Sequence, residues 1–204
     1  QRWVSRRQVS SGERPVARGQ MQLSELVLVG PVGAAHGAGS SQSARTLRHM
    51  APDRPQTWIL TGSPENFAAT RAHGFRVIGM KERRRRMAEA MAPGDRIVFY
   101  LTRVGVFGGS VLLTSELFED RTPIWPGKPG NPDIYPWRFE TEPEIVLDEG
   151  DELPAEAVKD DLEHVRKWPA EHWKLAFQGQ LRTVSDADAA LLLDRLRAAA
   201  GAPA

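Results

Sequence analysis

Trp125 and Tyr135 stand in a stretch broken by prolines at 123, 126, 129, 132 and 136, outside any periodic apolar face. Rings carried on a proline-stiffened loop can form a stacking surface. A rigid loop loses less entropy on binding, and stacking a base on an aromatic ring is worth about 1–3 kcal/mol. The same rings can instead fold back over a hydrophobic edge, and both readings stay open for Trp137 as well. Asn66 offers a donor and an acceptor side by side, suited to a base edge or to capping a first helical turn. Lys81, two residues after Gly79, can reach a phosphate or base carbonyl through its ammonium, or be simply solvated. Arg83 to Arg86 point around most of a helix, so not all can meet one ligand. Phosphate contact by one or two of them is the functional reading, with Arg83, Arg84 and Arg86 as candidates.

Other chemistries are poorly supplied. Cysteine is absent, which removes disulfides, thiol catalysis and cysteine-based zinc sites. That absence fits a reducing cytoplasm, the expected location. His164 and His172 are eight apart with Trp168 and Pro169 between them, which is not a metal-ligand spacing. Glu142/Glu144 and Asp160/Asp161 read as solvent-facing acids, and Trp58, Trp168 and Trp173 as core or edge packing. There is no nucleophile elbow, P-loop or dinucleotide fingerprint. No metal, cofactor or catalytic group is expected.

The elements that must position these residues follow from local punctuation. Residues 57–61 read as a strand closed by Gly62, after which Ser63 is a candidate N-cap with Pro64 in the first helical position. Gly74 ends that helix before a strand at 75–78, and 82–91 reads as a helix stopped by Pro93 and Gly94. Residues 95–102 alternate, with Ile97, Phe99 and Leu101 on one face and Val98 and Tyr100 on the other. Gly105 turns the chain into a long strand at 107–118, where Gly108 and Gly109 permit a bulge. After the 119–136 loop comes a strand at 137–147, which Pro143 restricts to an edge or a kink. An acidic helix is expected at 154–165 and a last strand at 174–177. Ser185 caps a closing helix, with Asp186 and Asp188 near its positive end and Ala189, Leu192, Leu193 and Leu196 buried. Five or six short strands with interspersed helices predict an α+β fold: a small curved barrel packed by short helices, not a doubly wound parallel sheet.

The net charge of +1 hides an asymmetry. Residues 1–50 carry seven arginines against Glu13 and Glu25, leaving 20 basic and 24 acidic side chains in 51–204. A protein gripping duplex DNA mainly through phosphates would show the opposite balance. Residues 71–103 hold nine Lys/Arg against three acids, and 138–163 hold eleven acids against two bases. A nucleic-acid backbone should therefore touch the first segment and avoid the second. Low hydrophobicity without periodicity predicts disorder for 1–50. That segment reads as an organelle-targeting transit peptide, a binding arm, or an over-extended reading frame with a start at Met50. The folded domain is expected at 51–204. No window approaches the length of apolar chain needed to span a membrane.

Several segments together resemble one family. Trp58-Ile59-Leu60, then Ser63, Glu65-Asn66-Phe67 and Gly74-Phe75-Arg76-Val77, resemble the opening of EVE domains. Gly79-Met80-Lys81, Arg86-Met87 and Pro93 through Tyr100 are similar to that family's middle segments, and Trp173 through Leu181 with Ser185, Ala187 and Asp188 to its end. The resemblance covers roughly 57–198 and implies a PUA-like barrel, related to YTH domains, that binds nucleobases. It implies that Asn66 reads a base edge and that Trp125 stacks. It also implies that main chain near Ile78 and Gly79 joins the pocket, although no tryptophan stands at Val77-Ile78 where YTH domains carry one. The expected function is a non-catalytic reader of a modified, methylated base in DNA or RNA. Two alternatives stand beside it: a small amidohydrolase of the related ASCH branch, with Lys81 and Glu82 as a faint echo, and a protein-interaction module using the 119–137 loop. As a loop residue, Trp125 is expected to be removable without unfolding the domain.

Overall fold

Alternation at 96–101 puts successive side chains on opposite faces of a sheet, and two hydrophobic cores result. A computed structural model of the chain describes residues 54–127 and 135–201. The expectations for residues 1–50, and for the prolines at 129 and 132, fall outside these.

β1 (Thr57–Gly62) leads into α1 (Pro64–Ala72), whose N-cap Ser63 accepts from the Asn66 main-chain N–H. β2 (Val77–Met80) follows, then a 3-10 turn at Glu82–Arg84 and a single α-turn, α2 (Arg85–Ala88). β3 (Arg96–Leu101) and β4 (Val106–Leu113) form a hairpin, and β5 (Phe118–Glu119) is a two-residue strand. β6 (Trp137–Val146) is the longest strand. β7 (Leu153–Pro154), a 3-10 turn at Ala155–Ala157, α3 (Glu163–Arg166) and 3-10 turns over Ala170–Phe177 precede β8 (Leu181–Val184). α4 (Asp186–Ala199) closes the described chain.

The strand order is β2-β6-β4-β3-β1-β8, with β5 on β6 and β7 on β4. β1 runs parallel to β3, and the other pairings are antiparallel. β6 creates the curl. Its first half pairs with β2 and β5, and its second half with β4. Within the β4 pairing the register slips, Val111 facing Pro143 while Ser110 faces Ile145. Pro143 thus lies beside a bulge inside the sheet, and that bulge re-aims Glu144. A second slip between Phe99 and Tyr100 falls opposite Gly108, where the paired glycines were expected to allow it.

Trp58, Leu60, Ile97, Phe99 and Leu101 face the inner core with Phe67, Phe75, Ile78, Met80 and Phe139. Ile59, Val98, Tyr100 and Phe107 face the outer core, covered by Val165, Phe177 and the α4 stripe of Leu192, Leu193 and Leu196. Ser185 caps α4, accepting from the Asp188 N–H. Asp188 does more than meet the helix dipole. Buried, it accepts from the main-chain N–H groups of Glu163 and His164 and so caps α3 as well.

Five expectations need correction. Glu144, instead of facing solvent, pairs with Arg96 at 2.6 Å with its side chain 20% exposed. The helix at 82–91 is a 3-10 turn plus one α-turn, because four arginines supply no apolar face to bury. The acidic helix at 154–165 divides into β7, a 3-10 turn and α3. Residues 174–177 are helical turns rather than a strand. Trp173 and Phe177, four apart, turn to the same side with ring centroids 6.1 Å apart, and Phe177 stacks on Tyr100 at 4.3 Å. Trp168 is 38% exposed rather than packed.

Candidate functional site

β2 and β8 lie at opposite ends of the strand order, so curling leaves a seam between β2 and the β1–β8 edge. A cleft of about 830 Å³ opens there, within the size range of small-molecule sites. Its walls are α1 and its cap (Ser63, Asn66, Phe67, Thr70), β2 and its exit (Ile78, Gly79, Lys81), the loop residues Trp125 and Tyr135, and the stretch from Phe177 to Gln180. Phe99 and Phe67, edge to face at 5.4 Å, supply apolar lining.

Trp125 is buried. Its indole N–H donates to Thr70 Oγ1 at 2.8 Å, and its ring meets Tyr135 edge to face at 5.5 Å. Gly79 makes the seat: a Cβ there would come within 2.7 Å of Trp125 Cη2 and 2.9 Å of Tyr135 Cβ. Trp125 therefore lines the cleft as part of its wall, and the expectation that it can be removed without disturbing the fold is corrected. A loop side chain with 55 residues of separation from its hydrogen-bond partner is part of the tertiary core here. Both aromatic rings face inward, so the loop does not present them as an external docking surface.

Arg138 holds this loop. Fully buried, it donates to Asp120 Oδ2 at 2.6 Å, to the Tyr135 carbonyl at 3.2 Å and to the Thr122 carbonyl, while its guanidinium lies 5.3 Å from the Trp125 ring centre. Hydrogen bonds from the Thr122 main chain and hydroxyl, with the Arg138 charge behind them, lower the Asp120 pKa.

Asn66 Nδ2 donates to Tyr135 Oη at 2.6 Å, leaving Oδ1 without a hydrogen-bond partner among the described residues. The first-turn alternative is met by its main chain, which reaches Ser63, so its side chain is committed to the cleft. Lys81 Nζ lies 5.5 Å from the Tyr135 ring centre. Lys81, Arg83, Arg103 and Lys174 bring positive charge to the cleft, against Glu65. Glu65 pairs with Arg103. Its carboxyl is held at about 2 by main-chain hydrogen bonding at Glu65 itself, then by the Ser63 hydroxyl and Arg103.

Asn66, Ile78, Gly79, Lys81, Arg83, Trp125 and Tyr135 thus meet in one cleft. Trp137, Arg84 and Arg86 are not part of its wall. Trp137 packs in the inner core under the Arg85 guanidinium at 4.2 Å, Arg84 reaches Met87 Sδ at 3.6 Å, and Arg86 is exposed. Glu82, the acid of the amidohydrolase alternative, is also outside the wall and pairs with Arg121 at 3.5 Å. Among the described residues no His/Cys/Asp/Glu group could hold a metal, and no helix is long and apolar enough to cross a membrane.

Sequence reasoning missed Thr70, Gln180, Arg103, Lys174 and Arg138. Arg138 carried one signal, an isolated base at the head of an acidic run. Gln180 carried none, since its partners are Gly79 and Lys81 about a hundred residues away.

No family model matches the sequence, and no curated protein does. Solved structures do. The YTH domain of Zygosaccharomyces rouxii MRB1, in complex with N6-methyladenosine RNA, aligns with a TM-score of 0.52 at 18% identity, over 71% of this chain and 88% of that one. The Pho92 YTH domain in complex with m6A gives 0.53 at 16%, over 72% and 88%. The Mmi1 YTH domain gives 0.52 at 13%, over 72% and 77%. Likeness at these identities is likeness of fold: the chain has a YTH-like, PUA-like architecture.

Proposed function

We propose that this chain is a non-catalytic reader, of the EVE type, that takes one modified base of a nucleic acid into the cleft. The observation carrying this reading is the convergence of Asn66 Oδ1, Trp125, Tyr135 and the β2 main chain on one cavity that four cationic side chains adjoin. Each part has a role in holding a base. The rings and apolar lining replace the stacking that a base loses when it leaves its strand. Asn66 Oδ1 offers the base a further hydrogen-bond acceptor. Lys81, Arg83 and Lys174 receive the backbone phosphates, which stay clear of Glu65. A methyl group fits an apolar lining at no desolvation cost. The solved neighbours that hold N6-methyladenosine share this fold and support a methylated base as ligand.

Single strands are the favoured partner, because flipping a base from a duplex costs a few kcal/mol and residues 51–204 are acidic overall. Titration of the full chain with short single-stranded RNA and DNA tests this, each strand carrying N6-methyladenosine, 5-methylcytosine, the unmodified base, or an abasic position. A methylated strand should bind tightest and the abasic strand weakest. Equal binding of abasic and base-bearing strands overturns the reading.

A further inference from the structure

β2 ends its sheet, and an end strand leaves main-chain groups without a neighbouring strand. At this edge one side chain covers two of them. The Gly79 carbonyl accepts from Gln180 Nε2 at 3.3 Å, and the Lys81 main-chain N–H donates to Gln180 Oε1 at 3.1 Å. Gln180 is 9% exposed, stands immediately before β8 and lines the cleft. Its amide thus bridges the seam on which the cleft opens.

A carboxamide carries its N–H donor and its oxygen acceptor on one carbon. The pairing edge of adenine does the same, with an amino group and a ring nitrogen on C6, and so does that of cytosine on C4. One methyl on the amino nitrogen still leaves one N–H. We infer that Gln180 is a place-holder: its amide occupies the main-chain pair of Gly79 and Lys81 that a base edge takes, and base entry requires it to swing away. This rests on the reading that a base enters this cleft.

Three observations support exchange over a permanent clasp. Both hydrogen bonds are longer than the usual 2.9–3.0 Å, so little is lost when they are traded. The acceptor of the pair is the carbonyl of Gly79, the residue against which Trp125 and Tyr135 are seated, so a base at this edge lies beside both rings. The amide keeps a buried carbonyl and a half-buried N–H satisfied, which any displacing ligand must then do in its place. A ligand lacking an adjacent donor and acceptor would leave that pair unmet, so Gln180 rejects it.

The test is Gln180→Ala in the full chain, titrated with three short RNAs that carry N6-methyladenosine, adenosine or an abasic site at one position. Removing a competitor worth two weak hydrogen bonds should tighten both base-bearing strands by on the order of tenfold and leave the abasic strand unchanged. Unchanged or weaker binding of the base-bearing strands to the variant, with the parent still preferring them over the abasic strand, overturns the place-holder and makes Gln180 a fixed wall. If the parent does not distinguish base-bearing from abasic strands, the reading of the cleft fails and this inference with it. A parent-chain measurement covers a variant that does not fold. The Gln180 side-chain amide protons, followed by NMR, should lose protection from solvent exchange as N6-methyladenosine RNA saturates the protein, and retained protection overturns the proposal.

Discussion

Gly79→Ala is the sharpest perturbation of the site, because it adds one carbon where the structure has no room. Gly79 is not in a left-handed conformation, so the substitution adds no backbone strain and its effect is steric. The new methyl would stand within 2.7 Å of Trp125 Cη2 and 2.9 Å of Tyr135 Cβ. Trp125 is held by its Thr70 hydrogen bond and lies against the Arg138 guanidinium, so its ring has little freedom to retreat. Overpacking of this kind costs about 1–3 kcal/mol. For a protein of this size each kcal/mol moves the midpoint by about 2–4 °C, so Tm should fall by roughly 2–12 °C. Affinity for N6-methyladenosine RNA should fall with it, since both rings move. Gly62→Ala is the internal control: Gly62 also lines the cleft, but nothing lies within 4 Å of a Cβ there. Its Tm should hold or rise slightly, because alanine restricts the unfolded chain. Thermal unfolding by circular dichroism and RNA titration of both variants supply the measurements. A Gly79→Ala protein that melts and binds like the parent would show that the rings are not seated on β2, and the account of the cleft would fall.

Asn66→Ala should reduce discrimination between base-bearing and abasic strands with little change in Tm, since the Ser63 cap uses the main chain of residue 66. Ser63→Ala should do the reverse, costing about 0.5–2 kcal/mol of stability while the Asn66 amide keeps its Tyr135 partner. Glu144 predicts a pH effect. Burial pushes its carboxyl up, but the bidentate Arg96 guanidinium and the Ser110 hydroxyl outweigh burial and leave its pKa below the ordinary 4.5. A carboxyl with a depressed folded pKa stabilises above its unfolded value, and that stability is lost as pH falls through the folded one. Tm measured from pH 7 downward should therefore fall less steeply below pH 4.5 in Glu144→Gln than in the parent, and parallel curves would contradict the assignment.

Local physics made much of the fold legible. The alternation at 97–101 separated the two cores residue by residue, because side chains on a strand must point to opposite faces. Ser63 and Ser185 read as caps because the hydroxyl and the N–H it serves are three residues apart. The same locality misled at 174–177, where a short apolar run fits a strand as well as a helical turn and only the stacking of Phe177 on Tyr100 decides. The site was legible in composition and not in arrangement. Asn66, Gly79, Trp125 and Tyr135 could be named one at a time. That Trp125 is wall rather than exposed platform depends on Thr70 and Gly79, and that the β2 edge is covered depends on Gln180. Such contacts join chain segments dozens of residues apart, and they exist only once β6 has curled the sheet and brought β2 opposite β8. Hydrogen-bond partners at that separation leave no spacing to read, so the tertiary structure alone assigns them.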